Sequence, residues 1–252
     1  MFHVVIPARF AATRLPGKPL LDVAGRPLIE WVWRCARDSG AQSVLIATDD
    51  ERIREAASSF GAEVAMTSAT HASGTDRIAE VAQSRGFGLD EVIVNLQGDE
   101  PLMPPLLIGS LAAAVRAQAL VDIATAATPV KSLREFLDPN CVKAVCAPDG
   151  RALYFSRAPV PFPRDHAAQG TPGEFAHALR HIGIYAYRVR SLLAFSALPA
   201  TPLELKEKLE QLRALEHGMR VQVLTLHEAP PPGVDTPEDL QRVRQILEHV
   251  SS

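Results

Sequence analysis

Only three cysteines, Cys35, Cys141 and Cys146, occur among the 252 residues, and no two of them form a C-x-x-C pair. That excludes a disulfide framework and a zinc knuckle, and a reducing, cytoplasmic setting is expected. A basic excess is missing too: 26 Lys and Arg stand against 29 Asp and Glu, a formal net charge of −3. Nucleic-acid binding runs on such an excess, which displaces counterions from phosphates, so no nucleic acid is expected and any polyanion must find a local cluster. No apolar run approaches the roughly 20 residues that cross a bilayer, so no membrane partner is expected. The opening FHVVIPAR (2–9) lacks the basic start, apolar stretch and small-residue cleavage site of a secretory signal, and an unexported protein is expected. Neither G-x-G-x-x-G nor G-x-x-x-x-G-K-[ST] follows the first apolar run, which argues against a dinucleotide oxidoreductase and a P-loop enzyme.

What is present reads as an α/β protein. Short apolar runs alternate with longer stretches of helical period: FHVVI (2–6) before PLIEWVWRCARDSG (27–40), SVLIAT (43–48) before DDERIREAASSFG (49–61), then AEVAMT (62–67). EVIVNLQ (91–97) follows a helical stretch, DRIAEVAQSR (76–85), and PPLLIGSLAAAVRAQ (104–118) leads to DIATAATPV (122–130). Runs apolar on both faces fit a doubly wound, mostly parallel sheet covered by helices on each side. The middle changes character. From about residue 142 paired strands are expected, with a turn at Pro148-Asp149-Gly150, then a loop rich in Pro and Gly over 162–173. HIGIYAYR (181–188) reads as a strand, LELKEKLEQLRALEHG (203–218) as one helix, VQVLTL (221–226) as a strand and TPEDLQRVRQILEHV (236–250) as a closing helix. With no linker or repeat, one domain spanning 1–252 is expected, carrying an inserted antiparallel lobe at about 142–190.

Several stretches could carry chemistry. Arg9, Arg14 and Lys18 follow the first strand, where open α/β sheets bind ligands, and Gly17 with neighbouring prolines shapes a stiff loop whose amides could face an anion. A solvated basic loop is the plainer alternative. NLQGDEP puts Asp99 just past a buried strand, able to hold Mg²⁺ or merely to sit in a β-turn. GVDTPEDL puts Asp235 after the last strand, where Asp235 or Thr236 could cap the closing helix instead. Two acids at two strand ends would complement the basic loop, as a nucleoside triphosphate site requires. SGTDR (73–77) could serve a base or ribose, or be an N-cap. His177 and His181 have the i,i+4 spacing of a zinc pair, but His181 opens a strand, which argues against it. Leu205, Leu209 and Leu212 make a helical stripe beside Glu210 and Gln211, and Lys206 with Glu210 could be a surface pair. Arg157 could be an exposed strand charge.

Taken in order and spacing, PARFAATRLPGKPL, HASGTDR, VNLQGDEP, ALYFSRAPVP, HIGIYAYR, LEQLR and GVDTPEDL resemble the 3-deoxy-manno-octulosonate cytidylyltransferases, also called CMP-Kdo synthetases. The likeness runs from Val4 to about Val243. The P-A-R and following R-x-x-x-K pattern is shared with other sugar nucleotidyltransferases, including sialic acid enzymes, whereas FSRAPVP, HIGIYAYR and LEQLR resemble the Kdo branch in particular. One departure is Ala11-Ala12, where the family often has a serine.

The resemblance implies a Rossmann-like fold of the nucleotide-diphospho-sugar transferase type and the reaction of CTP with Kdo to give CMP-Kdo and pyrophosphate, for lipopolysaccharide biosynthesis. It implies a magnesium cofactor and a homodimer. Arg9, Arg14 and Lys18 would hold the triphosphate, and Lys18, Arg14, Asp99 and Asp235 would be the catalytic set, with the two aspartates as metal ligands. Pro7, Ala8, Ser73, Gly74, Arg77 and Gln97 would meet the nucleotide. Gln97, Arg157, His181, Tyr185, Glu210 and Gln211 would meet the sugar acid. The same transfer to 8-amino-Kdo or sialic acid, and a non-catalytic nucleotide-binding homologue, are the alternatives.

Overall fold

The computed structural model describes residues 1–11, 15–71, 73–164, 175 and 177–251, the side chains of 250 and 251 excepted. In chain order the elements are β1 (Phe2–Ala8), a ribbon of β2 (Asp22–Val23) and β3 (Arg26–Pro27), α1 (Leu28–Arg37), β4 (Ser43–Thr48), α2 (Glu51–Ser59), β5 (Glu63–Met66), α3 (Gly74–Ser84), β6 (Val92–Asn95), α4 (Pro105–Ala117) and β7 (Ile123–Pro129). There follow α5 (Leu133–Leu137), β8 (Lys143–Cys146), β9 (Ala152–Ser156), β10 (Leu179–Arg188), α6 (Val189–Ser196), α7 (Pro202–Glu207), α8 (Gln211–Glu216), β11 (Val221–Thr225) and α9 (Pro237–Ser251).

The main sheet runs β11-β7-β10-β6-β1-β4-β5. Its pairs are parallel, except that β10 lies antiparallel between β6 and β7. Successive residues of β1 point to opposite faces: Val4 and Ile6 join α1 and α4 through Ile29, Val32 and Leu111, while Val5 joins α3, α6 and α8 through Ile78, Leu192 and Leu212. A strand covered on both sides has no polar face to alternate with, which is why the run FHVVI is unbroken. The fold is thus the doubly wound α/β sandwich that the alternation of elements predicts.

Over the expected lobe at about 142–190, β8 and β9 form a hairpin turned at Gly150, whose amide donates to Ala147 O at 2.9 Å. The hairpin attaches to the Leu179 end of β10. The rest of β10, predicted as a strand from 181 to 188, belongs to the main sheet. Residues 165–174, most of the expected Pro- and Gly-rich loop, lie outside the described residues.

One predicted helix divides. The stretch 203–218 forms α7 and α8, separated at Lys208, whose backbone is left-handed at φ 55°. The break frees carbonyls at the end of α7, and Arg157 takes them: Nε donates to Glu207 O at 2.7 Å and Nη2 to Lys208 O at 3.4 Å. Leu209 and Leu212 stay buried, but Leu205 is 56% exposed, so the stripe of three leucines is not a single face.

Candidate active site

Three loops at the ends of β1, β6 and β11 meet, and their backbones explain how. Gly98 lies so close to the first loop that a Cβ there would stand 2.9 Å from Pro7 O. At Gly233 a Cβ would stand 2.8 Å from Asp99 O. The Val234 amide donates to that same oxygen at 2.8 Å. Two positions without side chains thus let NLQGDEP seat between the amino-terminal loop and GVDTPEDL. From the other side, Val234, Leu240, Val243 and Leu247 pack on Val23 and Leu28, so α9 clamps its own leading segment onto the β2–β3 ribbon.

This docking brings Lys18, Asp99 and Asp235 together. Lys18 Nζ donates to Asp99 Oδ2 at 2.7 Å, to Val234 O at 2.9 Å and to Asp235 Oδ1 at 3.2 Å. Burial alone would lower the Lys18 pKa, but the Asp99 and Asp235 carboxylates outweigh it and hold the ammonium above its ordinary value. Thr236 and Asp239 make the reciprocal cap of α9, Asp239 N donating to Thr236 Oγ1 and Thr236 N to Asp239 Oδ2. Glu100 registers the local negative field: burial first, then Asp99 and Asp235, push its carboxyl up to about 8, with Arg180 and Lys18 opposing.

Two clefts share Asp99 as a wall. The first, of about 210 Å³, is bordered by Pro7, Ala8, Arg9, Lys18, Gly74 and Gln97. Arg9 Nη2 donates to His71 O at 2.9 Å and so ties the amino-terminal loop to the loop before α3. Ser73 caps α3 in a reciprocal box with Asp76, and the following Gly74 is the residue that borders the cleft. The second cleft, of about 240 Å³, is bordered by Asp99, Glu100, Asp235, Arg180 and His181. It adjoins a wider space of about 780 Å³ reaching Glu135, Asp138 and Asn140.

The remaining expected residues divide. Arg14 lies outside the described residues. Arg77 is fully buried and pairs with Asp49 at 3.3 Å and with Thr67, so it braces α3 against the end of β4 and cannot itself face a nucleotide. Arg157 gives its guanidinium to the carbonyls of Glu207, Lys208 and, at 2.9 Å, Pro139, and it borders neither cleft. Glu210 accepts from Thr75 Oγ1 at 2.7 Å, and its Oε1 is buried with no hydrogen-bond partner among the described residues. Gln211 is buried at the start of α8. Tyr185 is packed between His181 and Tyr187, and burial raises its phenol pKa. Gln97 Nε2 donates to Asn95 Oδ1 at 3.2 Å. His177 and His181 do not share a helix, and among the described residues no group of three or more His, Cys, Asp or Glu could hold a metal ion.

His181 has a defined state. Burial lowers its pKa to about 3, so the ring is neutral near pH 7. Thr125 Oγ1 stands 2.8 Å from His181 Nε2 and 2.8 Å from Ile184 O. The threonine has one hydrogen to give, and the carbonyl can only accept, so His181 Nε2 carries the proton and Nδ1 is an acceptor. Arg180 and Gly233 are the residues sequence reasoning passes over. A cation beside an apolar strand was the available signal for Arg180, whereas the need for glycine at 233 exists only once the two loops touch.

Comparison with known proteins bears on the family and the fold. Residues 3–221 match the family described as Cytidylyltransferase. The chain is 51% identical over 251 residues to a 3-deoxy-manno-octulosonate cytidylyltransferase of Cellvibrio japonicus, covering 98% of each chain. It is 52% identical over 249 residues to the one of Pseudomonas fluorescens, again covering 98% of each. Among solved structures it resembles a CMP:2-keto-3-deoxy-manno-octonic acid synthetase complexed with CTP, at TM-score 0.90 and 40% identity, over 99% of this chain and all of that one. A cytidylyltransferase from Leptospira borgpetersenii, at TM-score 0.62 and 17% identity over 98% of this chain and 87% of that one, shares the fold alone. Near-complete coverage at this identity, on a fold that matches end to end, places the chain in the family of 3-deoxy-manno-octulosonate cytidylyltransferases.

Proposed function

We propose that this chain transfers the cytidylyl group of CTP to 3-deoxy-D-manno-octulosonate (Kdo), forming CMP-Kdo and releasing pyrophosphate. The observation that carries the reading is the meeting of Lys18, Asp99 and Asp235 at the wall between two clefts. One cleft would take the nucleotide, the other the sugar, so that the reacting atoms meet at Asp99.

The anomeric hydroxyl oxygen of Kdo forms a bond to the α-phosphorus as the bond from that phosphorus to the pyrophosphate oxygen breaks, and the hydroxyl proton leaves to solvent. No covalent enzyme intermediate is needed. Transfer of this kind depends on positioning and on neutralising charge. Arg9, Arg14 and Lys18 supply positive charge to the triphosphate. Pro7, Ala8 and Gly74 shape the nucleotide cleft with Gln97 beside them, and His181 Nδ1 accepts from a sugar hydroxyl.

The donor set fits a magnesium ion. Two hard carboxylate oxygens already hold one cation between them, Lys18. Asp99 and Asp235 would hold the metal, which when bound neutralises phosphate charge in the way one or two carboxylates and substrate phosphates allow. We place the enzyme in the cytoplasm, as a homodimer serving lipopolysaccharide assembly. Exposed Leu153 on the β8–β9 hairpin and Phe162 just beyond it are consistent with a covered surface there.

The deciding experiment is pyrophosphate release from CTP and Mg²⁺, with and without Kdo, on the wild type and Asp99→Ala. Release that requires Kdo and is lost in the variant supports the reading. Equal release with sialic acid or 8-amino-Kdo would reassign the sugar, and none with any sugar would leave a nucleotide-binding homologue.

A further inference from the structure

Kdo is a 2-keto acid, so in its ring form the carboxylate is borne by the anomeric carbon itself, two bonds from the attacking oxygen. Whatever cation receives that carboxylate must therefore border the cleft that Asp99 and Asp235 border. Arg157, expected from resemblance to fill this role, does not: its guanidinium is committed to three backbone carbonyls at the α7–α8 break.

Arg180 does. It stands near the start of β10, opposite Thr128 on one neighbour and Lys143 on the other. It lines both the cleft at Asp99 and the wider space beyond. The described lining of the nearer cleft includes four carboxyl groups, Asp99, Glu100, Asp235 and Asp239, and no other arginine or lysine. One guanidinium nitrogen, Nη1, is anchored to Glu135 Oε1 at 3.1 Å, and Glu135 is itself held by the Lys131 amide at 2.8 Å. The anchor fixes the fork while leaving Nε and Nη2 without a hydrogen-bond partner among the described residues. A planar fork with free donors suits a carboxylate, and the carboxylates and amide around it in the wider space suit the hydroxyls of a sugar. The triphosphate is served on the far side of Asp99 by Arg9 and Lys18.

We propose that Arg180 receives the carboxylate of the acid sugar and so selects acidic over neutral sugars. This rests on the proposed function. Steady-state kinetics of pyrophosphate release would be measured for wild type, Arg180→Ala and Arg180→Lys, each with Kdo and with its C1 carboxamide, which keeps shape and loses charge.

The wild type should prefer Kdo on the order of 100-fold in kcat/KM. Arg180→Ala should lose on the order of 30- to 100-fold against Kdo, mostly in KM, with KM for CTP and inhibition by pyrophosphate unchanged, and its preference over the amide should fall to about threefold. Arg180→Lys, which keeps a cation beside Glu135, should recover part of it. A wild type that accepts the amide as well as Kdo overturns the proposal without need of a variant. So does an alanine variant that keeps the preference, or one whose loss appears in CTP or pyrophosphate. A wild type inert toward Kdo overturns the functional reading first, and this with it.

Discussion

The amide of Val234 donates to the carbonyl of Asp99 at 2.8 Å, joining loops that stand far apart in the chain. That bond fixes the two aspartates relative to each other through the backbone. Lys18 then closes the gap between their carboxylates, so the two acids are charge-paired by one cation.

Asp99→Asn and Asp235→Asn should each lower turnover at least about 100-fold, because each removes an anionic ligand of the proposed metal, worth several kcal/mol, while keeping side-chain volume. Pyrophosphate release at saturating substrates and Mg²⁺ checks this. Full activity in both would refute the assignment.

Lys18→Met removes the ammonium that the Asp99 and Asp235 carboxylates share. A charge-assisted hydrogen bond to a phosphate is worth about 1.5–3 kcal/mol, so kcat/KM for CTP should fall about 10- to 150-fold. Initial rates over a range of CTP concentrations measure it.

Gly98→Ala places a methyl 2.9 Å from the backbone oxygen of Pro7, an atom that cannot rotate away. Overpacking of this kind costs about 1–3 kcal/mol. A lower urea midpoint at unchanged slope, together with reduced turnover, is the expected result.

Arg157→Ala should lower stability by about 1–3 kcal/mol, since it leaves the carbonyls of Glu207 and Pro139 without their donor. Urea unfolding tests this. A variant as stable as the wild type would show that these contacts do not hold the α7–α8 joint.

His181 gives a pH dependence of known sign. Its folded pKa, about 3, lies below the ordinary 6.5, so the unfolded chain binds more protons between these values and stability falls as pH drops below about 6.5. The ring borders the cleft, and discounting for solvent leaves on the order of 1 kcal/mol lost by pH 5. His181→Gln should flatten that acid limb in urea unfolding measured from pH 8 to 5.

Much of the fold was legible because local rules and tertiary structure agree. FHVVI and EVIVNLQ read as buried strands since both faces are covered, and Gly150 ends a turn that its positive φ requires. The helix at 203–218 misled because each half has helical propensity; nothing local announces that Lys208 turns left-handed, and the carbonyls so released find Arg157 only in three dimensions. Arg77 misled for the opposite reason. The resemblance implies a nucleotide contact there, yet the side chain is fully buried and paired with Asp49 and Thr67.

From the chain alone come the alternation of strand and helix, the placing of Arg9, Lys18, Asp99 and Asp235 at strand ends, and the family likeness, because periodicity and short spacing are properties of neighbours in sequence. Only tertiary structure decides that Asp99 and Asp235 share one lysine, that His181 is neutral with its proton on Nε2, and that Arg180 and not Arg157 faces the cleft. Those outcomes depend on burial and on contacts between distant segments, and no local pattern encodes either.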